Sequence, residues 1–179
     1  MFPRVDVFVG MGANLDHPVY GRPAATLTTA LGALEQAGAG TVRKLSGWFE
    51  SAPVPRSDQN WYVNAVAQID TKLPPRELLD LLHNVEAEFG RIRCGRNEAR
   101  LIDLDLIDYG GLVRHDEGAN AMQLPHPRCC ERRFVLYPLR DIAPRWRHPA
   151  SGVAIDHLIS RLPASQIVRR VRQMRELYA

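Results

Sequence analysis

The sequence predicts an α+β fold: a β-α-β-β-α-β unit in the ferredoxin-like arrangement, an antiparallel sheet with helices on one face. Three observations predict it. Four stretches show strand character, with apolar and polar residues alternating. Leucine-rich stripes at helical spacing separate the first strand from the second and the third from the fourth. Glycine or proline punctuates the junctions.

The first strand runs from Arg4 to Gly10, with Val5, Val7 and Val9 alternating against Arg4, Asp6 and Phe8. Gly10-Met11-Gly12-Ala13-Asn14-Leu15 follows and reads as a tight glycine-rich turn. Its spacing matches neither a dinucleotide fingerprint nor a P-loop. The first helix starts at Pro23, which suits an opening turn, carries Leu27, Leu31 and Leu34, and stops at Gly38 or Gly40. Thr41 to Ser51 is the second strand, and Ala52 to Gln59 a loop stiffened by Pro53 and Pro55. The third strand spans Trp61 to Thr71, with Val63, Ala65, Ala67 and Ile69 on one face and Tyr62, Asn64, Val66 and Gln68 on the other. The second helix follows Pro74-Pro75, lays Leu78, Leu82, Val85 and Phe89 along one stripe, and ends at Gly90. Glu86 sits beside that stripe, either as a solvated charge or as a partner for an arginine in the next loop.

The fourth strand is the stretch from Arg100 to Gly110. Ile102, Leu104 and Leu106 share one face, and Asp103 and Asp105 the other, with Cα atoms roughly 6.5 to 7 Å apart. If the apolar faces of the third and fourth strands both meet the helices, then Tyr62, Asn64, Asp103 and Asp105 project together from the helix-free side. The C-terminal extension covers part of that side. Within it, Leu112 to Gln123 reads as a polar loop; short helices end at Ile142-Ala143-Pro144 and carry Ala154, Leu158, Ile159 and Leu162; Ile167 to Val171 reads as a strand; and a basic tail, Arg169 to Tyr178, frays.

A chain of 179 residues with 45% hydrophobic and 24% charged residues suits one domain, residues 1–179, with one sizeable core. A net charge of +3 permits an anionic substrate and lacks the basic density of a nucleic-acid binder. No run is long enough to span a membrane and no signal-peptide core follows Met1, so the expectation is a cytoplasmic monomer without membrane or nucleic-acid partners. The three cysteines, Cys94, Cys129 and Cys130, have no C-x-x-C spacing. That pattern argues against a disulfide framework or a structural zinc site.

Two carboxylates on one strand face read, from the strand alone, as the solvated acidic face of a half-exposed edge strand; they also suit a hard cation such as Mg²⁺, which takes one or two carboxylates together with phosphate oxygens. The arginines of the preceding loop, Arg91, Arg93, Arg96 and Arg100, form either a solvated basic loop, a nucleic-acid patch or a grip on a polyphosphate, because guanidinium stays charged and forks onto phosphate oxygens; Arg100 borders the aspartate strand, and Arg93 and Arg96 are peripheral. His126, held between Pro125 and Pro127, reads either as a surface or satisfied core histidine or, with Arg128, Arg132 and Arg133 nearby, as a phosphate-facing one. Tyr62, Phe134 and the Pro53-Val54 segment form either core or a slot for a flat heterocycle, with Asn64 reading its edge.

Taken together, these stretches resemble the 6-hydroxymethyl-7,8-dihydropterin pyrophosphokinase family. The resemblance runs through Gly12-Ala13-Asn14-Leu15, Ser51-Ala52-Pro53-Val54-Pro55, Trp61-Tyr62-Val63-Asn64-Ala65-Val66, Glu86-Ala87-Glu88-Phe89-Gly90-Arg91, Arg100-Leu101-Ile102-Asp103-Leu104-Asp105-Leu106, Leu124-Pro125-His126-Pro127-Arg128 and Arg132-Arg133-Phe134-Val135-Leu136. It implies transfer of the β,γ-pyrophosphoryl group of ATP to the hydroxymethyl group of a reduced pterin, with release of AMP, in folate biosynthesis. It implies that Asp103 and Asp105 bind two Mg²⁺ ions and that Arg91 and Arg100 act with them in catalysis. Glu86, His126, Arg128 and Arg132 join Arg91 and Arg100 at ATP, while Ser51, Pro53, Val54, Tyr62, Asn64 and Phe134 hold the pterin. The chain departs from the family's usual Trp-Gly-Pro-Arg-Thr, having Asn97-Glu98-Ala99-Arg100-Leu101. Two other readings stand beside this one: an RRM-like RNA-binding module, which needs aromatics exposed on the sheet, and a non-catalytic nucleotide-binding paralogue.

Overall fold

The computed structural model describes residues 4–91, 99–118 and 121–172. Strand β1 spans Val5–Ala13, helix α1 Pro23–Gln36, β2 Thr41–Leu45, β3 Phe49–Ser51, β4 Tyr62–Thr71, α2 Pro75–Glu88 and β5 Asp103–Tyr109. Beyond them lie β6 (Arg114–His115), β7 (Gln123–Leu124), a 3-10 turn at Cys129–Glu131, α3 (Arg133–Ile142), α4 (Ile155–Arg161) and β8 (Val168–Arg170). The main sheet runs β5-β1-β4-β3-β8, with β2 also paired to β4, and every pairing within it is antiparallel.

One face of this sheet meets α1 and α2. Val7, Val9, Met11 and Ala13 of β1, Val63, Ala65, Ala67 and Ile69 of β4, and Leu104 and Leu106 of β5 are buried against the leucine stripes of the two helices. The strand period of two and the helix period of 3.6 both place these residues inward. Pro23 and Pro75 open their helices. Gly38 and Gly90 lie just beyond the helix ends at φ +86° and +77°, a conformation that suits glycine.

The opposite face is partly covered by the C-terminal extension. A second apolar cluster lies there, in which Val135, Leu136 and Leu139 of α3 and Ile155 and Ile159 of α4 bury Val66 and Ile107. Phe8 packs against the same cluster, so the aromatic that an RNA-binding face needs exposed is covered by the second layer. The C-terminal extension therefore forms a helical third layer, and it leaves a gap over β3, β4 and the start of β5.

Four local expectations change. Gly10 and Gly12 form no turn. They are strand residues, Gly10 paired with Val66 and Asp105, Gly12 with Asn64 and Asp103. The stretch from Thr41 to Ser51 is two strands, because the Ser46 side chain enters the ladder: Val66 N–H donates to Ser46 Oγ at 3.0 Å while Ser46 N–H donates to Val66 O at 3.0 Å. The region from Leu112 to Gln123 contains a short ladder, β6 with β7. The tail is likewise tied down at its start: β8 pairs with β3, Arg169 donates to Glu50 at 2.9 Å and Arg170 to Asp141 at 2.8 Å. Its end from residue 173 lies outside the described residues.

Candidate active site

A register row fixes the floor of the gap. Asp103, Gly12, Asn64 and Phe49 are successive Cα partners across β5, β1, β4 and β3. Asp105, Gly10 and Val66 form the row beside it. Carboxylates therefore stand on one edge and an amide on the other, with a strip of bare backbone between them. A Cβ at Gly12 would sit 3.3 Å from Asn64 Oδ1, and one at Gly10 3.1 Å from Ile107 Cδ1. These two glycines are the site feature that the sequence reading missed, and their alternation in phase with Asp103 and Asp105 was the signal available.

Over the floor lies a cavity of about 500 Å³. Ser51, Pro53, Val54, Tyr62, Asn64 and Phe134 all line it, as do Arg100, Asp103, Arg128 and Arg132. Aromatic, amide and guanidinium groups from distant stretches thus share one space. Cys130, Glu131, Leu162, Pro163 and Gln166 also line it and were not anticipated. Their contribution depends on how α3 and α4 dock, which no local pattern encodes. A smaller recess beside the cavity holds Asp105 with Gly10, Gly12, Asn64, Asp103, Phe134 and Val135.

Asn64 is buried, and its Nδ2 donates to Ser51 Oγ at 3.0 Å and to the Phe49 carbonyl at 3.2 Å. The amide is thereby oriented, with Oδ1 facing the bare strip at Gly12. Tyr62 OH donates to Gln59 Oε1 at 3.3 Å, and burial raises its pKa. The Arg132 guanidinium carbon lies 5.6 Å from the centre of the Phe134 ring.

Asp103 is clamped. Arg91 Nη1 lies 2.7 Å from its Oδ1, and Arg100 Nη1 donates to its Oδ2 at 2.5 Å. Burial nevertheless raises the Asp103 pKa, and the neighbouring Asp105 charge adds to the rise against the two guanidiniums. Asp105 is held loosely, with Arg132 Nη1 at 3.6 Å and His126 Nε2 at 3.9 Å. His126 Nδ1 accepts the Arg128 N–H at 3.1 Å, so a neutral ring carries its proton on Nε2, toward Asp105. Burial lowers the His126 pKa, which favours that neutral form.

Arg100 precedes the strand instead of opening it, since β5 begins at Asp103. Asn14 holds it there. Only 2% exposed, Asn14 accepts the Arg100 N–H on Oδ1 at 2.7 Å, donates its own N–H to Arg100 O at 3.0 Å and donates from Nδ2 to Asn60 O at 3.1 Å. Glu86, 1% exposed, resolves its two readings in favour of an arginine partner: it pairs with Arg91 and accepts the Leu104 N–H at 2.6 Å. It stands behind Arg91 and does not line the cavity, so any part it has at a nucleotide is through that arginine. Arg93, Arg96, Asn97 and Glu98 lie outside the described residues.

Comparison with known proteins bears on this geometry. The family model for 7,8-dihydro-6-hydroxymethylpterin-pyrophosphokinase (HPPK) matches residues 8–144. The chain is 35% identical over 163 residues to 2-amino-4-hydroxy-6-hydroxymethyldihydropteridine pyrophosphokinase of Pseudomonas aeruginosa, covering 91% of this chain and 95% of that protein. It is 37% identical over 139 residues to the protein of the same name from Haemophilus influenzae, with 78% and 82% covered. A folic acid synthesis protein of Dictyostelium discoideum is 34% identical over 122 residues; the match takes in 68% of this chain and only 18% of that longer protein. Among solved structures, wild-type Plasmodium falciparum HPPK-DHPS shares the fold with a TM-score of 0.71 at 12% identity, over 89% of this chain and 43% of the other. No helix among the described residues is long and apolar enough to cross a membrane.

Proposed function

Since the chain belongs to the 7,8-dihydro-6-hydroxymethylpterin-pyrophosphokinase family, we propose that it transfers the pyrophosphoryl group of ATP to 6-hydroxymethyl-7,8-dihydropterin in folate biosynthesis. The observation that carries the reading is a single cavity with an aromatic and amide wall at one end and a guanidinium-clamped carboxylate at the other. On this reading the β-α-β-β-α-β unit is a ferredoxin-like platform. The enzyme acts as a cytoplasmic monomer with ATP and the reduced pterin as its partners and no nucleic-acid role.

The pterin ring lies between Tyr62 and Phe134, walled by Pro53 and Val54. Asn64, with Nδ2 committed to Ser51 and Phe49, offers Oδ1 to an N–H edge of the heterocycle. ATP lies toward Arg91, Arg100, Arg128, Arg132 and His126, with Glu86 holding Arg91 from behind. The hydroxymethyl oxygen forms the new bond to the β-phosphorus, the α–β bridge breaks, AMP leaves and a proton is released. Arg91 and Arg100 follow the charge as it spreads over the phosphate oxygens, and His126 Nε2–H adds a donor.

The residues present suit Mg²⁺: two carboxylates of hard oxygens share one strand face, their like charges are close enough to raise the Asp103 pKa, and Asp105 lacks any tight partner among the described residues. Asp103 and Asp105 would hold two such ions, which when bound supply charge neutralisation on the triphosphate and the acceptor oxygen. Arg91 and Arg100 occupy Asp103 as counter-cations. A triphosphate offers those guanidiniums other anions and so releases Asp103 for the metal.

The test is AMP formation by purified protein. AMP is expected only with ATP, Mg²⁺ and the reduced pterin all present. No AMP under those conditions, or equal AMP without the pterin, overturns the reading.

A further inference from the structure

Outside the cavity floor, the fold assembles three soft ligands from two separate stretches. One ligand atom each from Cys129, Cys130 and His148 lies within 4.8 Å of the others. The two sulphurs are 3.7 Å apart. Successive residues of a 3-10 turn point about 120° apart, so adjacent cysteines meet only when both side chains turn toward a common centre. Two thiolates about 2.3 Å from one tetrahedral zinc ion are separated by about 3.8 Å. We propose that Cys129, Cys130 and His148 form a binding site for a thiophilic divalent cation, Zn²⁺, distinct from the carboxylate pair on β5.

The surroundings favour this. The histidine is preset: His148 N–H donates to Val153 O at 3.0 Å and Gly152 N–H to His148 O at 2.7 Å, which closes a tight turn. Its Nδ1 accepts the Ser151 N–H at 3.2 Å and lies 3.1 Å from Ser151 Oγ, the oxygen that would accept Nδ1–H once Nε2 gives up its proton to an ion. Such outer contacts orient metal-bound imidazoles. The 3-10 turn is pinned in the same way, by Cys129 N–H donating to His126 O at 3.0 Å.

A buried anion adds a second, independent indication. Asp108 is 4% exposed, and its two oxygens accept from neutral donors, Trp146 Nε1–H at 2.7 Å and Gly111 N–H at 2.9 Å. Among the described residues it has no ion pair, and its charge acts on both Cys129 and His148. A buried carboxylate without a counter-cation is unfavourable. Its field disfavours free thiolates and favours a divalent ion among them. Cys130 is the member that opens toward the world: it also lines the large cavity. Sulphur and imidazole select Zn²⁺ over Mg²⁺, which takes oxygen, so the two metal sites do not compete for one ion.

The probe is Co²⁺, titrated into the reduced full-length chain carrying Cys94→Ser, which removes the third thiol. A thiolate-to-cobalt charge-transfer band in the near ultraviolet is expected to saturate at one equivalent and to bleach when Zn²⁺ is added. Carboxylate sites give no such band. Cys130→Ser and His148→Ala, both at half-buried positions, are each expected to weaken Co²⁺ binding by about tenfold or more, since even outer contacts of a site are worth that much. Absence of the band, or its persistence unweakened in either variant, overturns the proposal. Should a variant fail to fold, alkylation of the Cys94→Ser protein decides instead: Zn²⁺ but not Mg²⁺ is expected to protect Cys130, and equal labelling with and without Zn²⁺ overturns the site. Neither readout depends on pyrophosphokinase activity.

Discussion

Asp103 and Asp105 are two residues apart and live in different surroundings. Asp103 is tied at both oxygens by Arg91 and Arg100, and Asp105 has only the longer contacts to Arg132 and His126. Asp105→Asn keeps shape and removes charge. It is expected to cut kcat for AMP formation by about a hundredfold or more, the scale of losing a positioned electrostatic partner, with the thermal midpoint near that of the parent. Steady-state kinetics beside a melting curve check both halves. Asn14 is a positioning residue with a stability role. Asn14→Ala leaves the Arg100 N–H and Asn60 O without their partner and is expected to cost about 1–3 kcal/mol, read by urea denaturation, with a rise in KM for ATP as Arg100 loosens. The carboxylates were legible in the sequence because a strand's alternation assigns faces without any tertiary information. Glu86 was only half legible. Its place beside a helix stripe fits solvent or a partner equally well, and the partner came from a loop five residues on.

At the scale of elements, β1 does more than its pattern suggested. A run of Gly-Met-Gly reads as a turn because glycine is rare inside strands. Here the strand continues through it, since Met11 is buried on the helix side while both glycines face the gap between Asp103, Asp105 and Asn64. Gly12→Val puts a branched side chain where even a Cβ lies 3.3 Å from Asn64 Oδ1. The expected outcome is a higher KM for the reduced pterin with a smaller change for ATP. Equal changes for both substrates would remove Gly12 from the acceptor side. The division of the second strand into β2 and β3 was illegible for another reason. It depends on the Ser46 hydroxyl taking a ladder hydrogen bond from Val66, a contact twenty residues away.

For the whole molecule, the sheet and the first helical layer follow from local periodicity, and the second helical layer does not. The α3 and α4 segments are 10 and 7 residues long, too short for a stripe to declare which surface it meets. Their docking over Val66, Ile107 and Phe8 makes a second apolar cluster, and with it the far wall of the cavity. Leu139, fully buried there, tests how far that layer supports the rest. Leu139→Ala is expected to cost about 2–5 kcal/mol, measured by chemical denaturation. It should also raise KM for the pterin, because α3 carries Phe134.

The row Asp103, Gly12, Asn64 amounts to a ruler. Its divisions are inter-strand hydrogen bonds, so its length is two strand spacings, about 9.5 Å between the outer Cα atoms. A ladder of backbone bonds stretches far less readily than a loop. On the proposed reading the acceptor's ring is read at one end and its oxygen arrives near the other, so the protein would select for the length of the arm between them. A pterin bearing a hydroxyethyl arm, longer by one carbon–carbon bond of about 1.5 Å, should still occupy the slot yet turn over far more slowly.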